Sequence, residues 1–136
     1  MIYGNTFIDN NIDFILMETN MTINDPINLA GNQFGLWVYG GEGPYPHFHL
    51  KGNGGFEACI MIQYPEYFDH GGKYKDKLKS KYCKLLNEWM QELDSNNISN
   101  WRKIVNQWNE NNSQYKILPS KRPDYSNIYP YHTFTK

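Results

Sequence analysis

The chain has 136 residues, 13 basic against 14 acidic side chains, a formal net charge of −1 and two cysteines. Near-neutrality argues against an electrostatic nucleic-acid binder, whose domain carries a basic stripe, and no run approaches the roughly 18 apolar residues of a membrane span. The first residues lack the basic-then-apolar pattern of a secretion signal, and no CxxC spacing is present. The expectation is a cytoplasmic protein of one domain, with Cys59 and Cys83 as buried free thiols.

The first half, residues 1–68, reads as mainly β. Ile12–Met17 is a short apolar run between asparagines, and Phe34–Tyr39 is aromatic and β-branched and ends at Gly40-Gly41. Between them, Thr22–Gln33 holds Pro26, Gly31 and several asparagines and reads as loop. Pro46–Lys51 and Phe56–Gln63 form a hairpin across Gly52-Asn53-Gly54-Gly55.

Residues 76–112 read as two helices. Leu78, Tyr82, Leu85, Leu86, Trp89, Met90 and Leu93 recur at three- and four-residue steps, with Asp76 as the N-cap and Asp94-Ser95-Asn96-Asn97 as the stop. Ser99 caps a second helix whose apolar stripe is Trp101, Ile104, Val105 and Trp108, and Asn111-Asn112-Ser113 ends it. In the tail, residues 113–136, Pro119, Pro123 and Pro130 exclude long regular structure. Tyr125, Ile128, Tyr129, Tyr131 and Phe134 make it too aromatic for disorder, so it should wrap over the domain or dock on a partner. The fold class expected is α+β: a small antiparallel sheet packed against two helices.

The chemistry concentrates in Pro46-His47-Phe48-His49. Side chains two apart on a strand point to one face, so His47 and His49 project together. Two imidazoles with Glu57 from the next strand could hold a divalent metal or act as an acid–base group. The simpler alternative is a strand whose polar face happens to be histidine. Register decides whether Glu57 joins them. A two-residue turn at Asn53-Gly54 pairs His49 with Ala58 and puts Glu57 on the opposite face. A bulge pairs His49 with Glu57 and His47 with Cys59. Gly41 followed by five residues and His47-x-His49 matches the opening of the cupin metal motif. Glu57 comes eight positions after His49 instead of three or four, and the helical second half does not suit a small barrel.

Other features weigh less. Lys77, Lys81 and Lys84 would share a helical face and could bind phosphate, although Asp76, Glu88, Glu92 and Asp94 offset them. His70, in the turn Asp69-His70-Gly71-Gly72, reads as a surface residue that could still approach the hairpin as a third ligand. His132 and the tryptophans read as packing, with Trp37 in a strand core. Gly40-Gly41-Glu42-Gly43 precedes a strand and lacks the geometry of a phosphate cradle, and no nucleophile elbow is present.

Pro46-His47-Phe48-His49, Phe56-Glu57-Ala58-Cys59-Ile60, Leu85-Leu86-Asn87-Glu88-Trp89 and Asn100-Trp101 occur in an order and spacing that resembles the bacterial family known as domain of unknown function 4160, over residues 34–108. The hairpin loop, the Tyr64–Tyr74 connection and the aromatic tail depart from that pattern. The resemblance carries the family's hairpin, but no established activity, over to His47, His49 and Glu57, and it implies a small two-gene module of toxin–antitoxin type with a protein partner. The functional expectation is therefore an interaction protein, binding a partner or a second copy of itself. A hydrolase or nuclease built on His47, His49 and Glu57 with a divalent metal is the alternative.

Overall fold

The computed structural model describes residues 20–22, as backbone, and residues 27–130 with their side chains. The expected strand Ile12–Met17, the tail aromatics Tyr131 and Phe134, and His132 lie outside the described residues. Within them, β1 is Asn20–Thr22, β2 Ile27–Leu29, β3 Asn32–Tyr39, β4 His47–Lys51 and β5 Glu57–Met61, followed by α1, Ser80–Gln91, and α2, Asn100–Asn111. The sheet is antiparallel in the order β1–β3–β4–β5, and β2 pairs with the first residues of β3. The α+β expectation holds.

Residues 22–33, expected as loop, contain β2 and the start of β3. Leu29 pairs with Asn32 across a two-residue turn in which Ala30 and Gly31 have φ of 53° and 87°. Both central residues of such a hairpin turn need positive φ. Alanine is an unusual choice there, so the turn carries no Asn-Gly signature. Asn28 Oδ1 accepts a hydrogen bond from Gly31 N at 2.8 Å and helps close it.

One face of the sheet presents Phe34, Leu36, Val38, Phe48, Leu50, Ala58 and Ile60 to the helices, which return Leu86, Met90, Trp101, Ile104, Val105 and Trp108. All of these are buried. Ser99 caps α2 as expected, its Oγ accepting from Arg102 N at 3.0 Å. The start of α1 differs from expectation. Lys79 is its N-cap residue, and Asp76 instead accepts Glu57 N at 2.9 Å while its own N–H donates to Glu57 O. Lys75 and Asp76 are drawn into pairing with β5, and the helix begins only at Ser80. Leu78 still reaches the core, whereas Leu93, beyond the last turn, is 61% exposed. Trp37 also departs from expectation. It is half-buried and lies opposite His49, on the face away from the helices.

The tail does wrap over the core as far as it is described. Tyr125 is fully buried, with its hydroxyl within hydrogen-bond reach of the Met61 and Ile62 carbonyls at 2.9 and 2.7 Å. Ile117 is buried as well. Cys59 and Cys83 are free and buried, as expected.

The second face of the sheet is covered by the chain between β5 and α1. Ile60 bridges to Tyr67 and Ala58 to Lys75, so this segment runs antiparallel to β5 at both ends. Between them, residues 68–74 loop out over the sheet. That excursion carries Phe68, His70 and Tyr74 onto the histidine face of β4.

Candidate metal centre

His47 and His49 are both buried on that second face. The hairpin register is neither of the two expected. Lys51 pairs with Glu57, His49 with Cys59 and His47 with Met61, around a five-residue loop closed by Gly52 N donating to Phe56 O. The loop is longer than a two-residue turn because Asn53–Gly55 forms a single 3₁₀ turn. Its parity is that of the bulged alternative, so Glu57 shares the face of His47 and His49.

Glu57 does not, however, reach the point where the two rings converge. Its Oε2 lies 2.9 Å from His49 Nδ1, behind the ring. The carboxylate at the convergence is Glu42. Its Oε1 lies 2.9 Å from His47 Nε2 and 2.7 Å from His49 Nε2, and its Oε2 lies 3.0 Å from His70 Nε2. One ligand atom from each of Glu42, His47, His49 and His70 falls within 4.8 Å of all the others. The glycine-rich stretch therefore has a role that sequence reasoning missed. Gly41 and Gly43 take φ of 69° and 83°, which only glycine adopts freely. These two reversals turn Glu42 back over the sheet. Buried Asn112, at the end of α2, ties the loop down: its Oδ1 accepts Glu42 N at 3.4 Å and its Nδ2 donates to Tyr39 O at 2.9 Å. A glutamate five residues before the His-x-His pair was the only sequence trace of Glu42, whereas His70, open in the sequence as a possible third ligand, does reach the centre.

The proton positions follow from the partners. His47 Nδ1 lies 2.8 Å from the Tyr45 carbonyl and His49 Nδ1 2.9 Å from the Glu57 carboxylate. Both of these oxygens only accept, so each ring can hold a proton on Nδ1; the Glu42 oxygens facing Nε2 also only accept, so without a cation those contacts need a second proton on the ring. A neutral ring in that tautomer would aim its Nε2 lone pair at the Glu42 oxygen, which is repulsive unless a proton or a cation lies between. Burial pushes the His47 pKa below the usual imidazole value, only partly countered by its bonds to Glu42 and Tyr45. Burial alone would raise the Glu42 pKa, but the bonds to His47 and His49 outweigh it and hold the carboxyl well below the usual carboxylate range. The centre thus combines an ionised carboxylate with imidazole nitrogens facing inward. The donor set suits a first-row divalent metal. Tetrahedral ligands at zinc distances stand about 3.4 Å apart, so binding an ion would need the carboxylate oxygens, now 2.7–3.0 Å from the Nε2 atoms, to withdraw and the ligand atoms, spread over up to 4.8 Å, to draw together.

Aromatic rings wall the centre. Phe68 stacks on His47 at 4.1 Å between ring centroids, and Tyr39 meets His49 edge-on at 4.8 Å. Cys59 Sγ lies 3.3 Å from His49 Nδ1, and burial raises the pKa of this thiol, so it stays protonated beside the ring.

The expected lysine face keeps Lys81 and Lys84 on α1 but not Lys77. Lys77 precedes α1, with its ammonium 5.8 Å from the Tyr67 ring centroid, and Lys81 sits over Tyr82. Lys84 is exposed on α1. No helix among the described residues is long and apolar enough to cross a membrane. The chain matches no family model, no curated protein and no solved structure.

Proposed function

We propose that this protein is a metalloprotein that binds one divalent first-row transition metal through Glu42, His47, His49 and His70, and that the centre serves metal-assisted hydrolysis. The observation that carries this reading is the aim of three Nε2 atoms at one carboxylate, with the Nδ1 protons of His47 and His49 committed to Tyr45 O and Glu57. Ligating histidines are characteristically held by such a bond from the other ring nitrogen, to a carbonyl or a carboxylate. A bound metal would supply Lewis acidity and an activated water. The chain's own residues hold the ligands in place, exclude bulk water with Phe68 and Tyr39, and leave Glu57 to receive the His49 Nδ1 proton. Metal titration of the purified protein tests this. One equivalent of zinc, cobalt or manganese is expected, and its absence would remove the reading.

The expected partner-binding role remains a second proposal, supported by the exposed Leu118 and Tyr129 of the tail and by the family resemblance. Tyr125, which would have been a strong contact residue, is committed to the core. Association with a partner, or of the chain with itself, at micromolar concentration would support that role.

A further inference from the structure

The four groups at the centre are not held equally. His47 is fixed from behind by the Tyr45 carbonyl, His49 by Glu57, and the Glu42 loop by Asn112. His70 has no such support: among the described residues no hydrogen bond is made to its Nδ1, and beyond its Glu42 contact its ring is held by packing against Phe68 and Tyr74. Its side chain is 27% exposed, against 0% for His47 and 3% for His49. It also rides on a different kind of element. His47 and His49 belong to a strand paired on both sides, whereas His70 stands on the loop that leaves the β5 edge after Phe68. The backbone bonds of that loop close on itself, Gly72 N to Asp69 Oδ1 and Lys73 N to His70 O. Tyr74, 39% exposed, lies edge-on to His70 and His49 at 5.1 and 5.4 Å, at the mouth of the centre.

From this asymmetry we infer that Glu42, His47 and His49 form the permanent metal-binding triad, and that His70 is an exchangeable ligand which gives way to a small anionic oxygen or nitrogen donor entering past Tyr74. This rests on the metal reading above and gives it a substrate position. Two histidines and one carboxylate on one side of a metal leave positions open for exogenous ligands. The anionic preference follows from charge. A divalent ion offset by Glu42 alone stays positive, and Glu57, the other nearby carboxylate, faces Lys51 directly across the β4–β5 pair. An entering ligand must compete with His70, so its apparent affinity is lowered by the fraction of molecules in which His70 is bound. Removing the imidazole lifts that competition.

The test uses cobalt(II) as the metal and azide as the entering anion, followed in the visible spectrum. Wild type, His70→Ala, His70→Asn and His47→Ala are compared, with circular dichroism checking that each is folded. The expected result is that both His70 variants keep one cobalt per chain, with affinity within about 100-fold of wild type. Azide should perturb the spectrum of wild type and bind the His70 variants at least about tenfold more tightly, while His47→Ala should hold no stoichiometric cobalt. If folded His70 variants lose cobalt as completely as His47→Ala, or azide leaves every spectrum unchanged, the exchangeable role is overturned while the metal reading stands. If wild type binds no metal, both fall together.

Discussion

Glu57 Oε2 sits 2.9 Å from His49 Nδ1, on the side of the ring away from Glu42. The pair meets diagonally, since His49 is directly opposite Cys59 and Glu57 directly opposite Lys51. This fixes the tautomer of His49 and makes its Nε2 a stronger donor to a cation. Glu57→Gln should therefore weaken metal binding by about 10–100-fold without changing its stoichiometry. Isothermal titration would check it, and loss of stoichiometric binding would mean that Glu57 is itself a ligand.

Glu42→Gln should do more. The amide removes the negative charge of the ligand set and puts a donor or a weaker acceptor against the Nε2 atoms of His47 and His49. Metal affinity should fall by more than about 100-fold, beyond the range of a supporting residue. Equilibrium dialysis against zinc would show it, and wild-type affinity in this variant would exclude Glu42 from the set.

Gly41→Ala and Gly43→Ala test the loop that places Glu42. A Cβ at either position meets no atom within 4 Å, so only the positive φ opposes it. Each should cost about 1–2 kcal/mol of stability from the left-handed backbone alone. If the loop relaxes instead of bearing the strain, metal affinity should fall while stability holds. A variant unchanged in both would contradict the role given to these glycines.

Acid should destabilise the metal-free protein. The unfolded chain takes up a proton at His47 near the ordinary value of 6.5, and the native protein only at lower pH, because burial lowers the native pKa. Glu42 acts in the same sense from 4.5 downward. Burial opposes its ionisation, but the bonds to His47 and His49 prevail and keep it charged in the native state. In both windows the unfolded state binds more protons, so the unfolding free energy rises with pH. Urea midpoints should fall progressively from pH 7.5 through 6 to 4. A midpoint that rises on acidification would contradict this.

Ser99→Ala offers a control remote from the centre. Losing the bond from Arg102 N should cost about 1 kcal/mol. Urea unfolding should register this with metal affinity unchanged, and a change in affinity would mean that α2 couples to the centre more strongly than through Asn112.

Local signals made the frame legible. Aromatic and β-branched composition placed β3, the glycine-rich turn placed the β4–β5 hairpin, and three- and four-residue spacing placed the buried faces of α1 and α2. The Ser99 cap was readable because a cap is a local bond. What could not be read was set by partners distant in the chain. Asp76 looks like a helix cap, but its carboxylate is taken by Glu57 N nineteen residues away. The β2–β3 hairpin was hidden because Ala30 occupies a position that usually announces itself as asparagine or glycine. At the centre, the His47–His49 pair follows from strand geometry alone. Glu42 depends on two glycine reversals, and His70 on a loop leaving the β5 edge, and neither has a periodicity. Glu57 was placed on the correct face by one of the two registers considered, yet its part is to hold His49 from behind.

The most direct measurement is zinc titration of the metal-free wild type beside the folded His47→Ala/His49→Ala double variant, with metal per chain read by elemental analysis. One zinc per chain is expected for wild type and none for the double variant. No stoichiometric binding by wild type, or equal binding by both proteins, would contradict it.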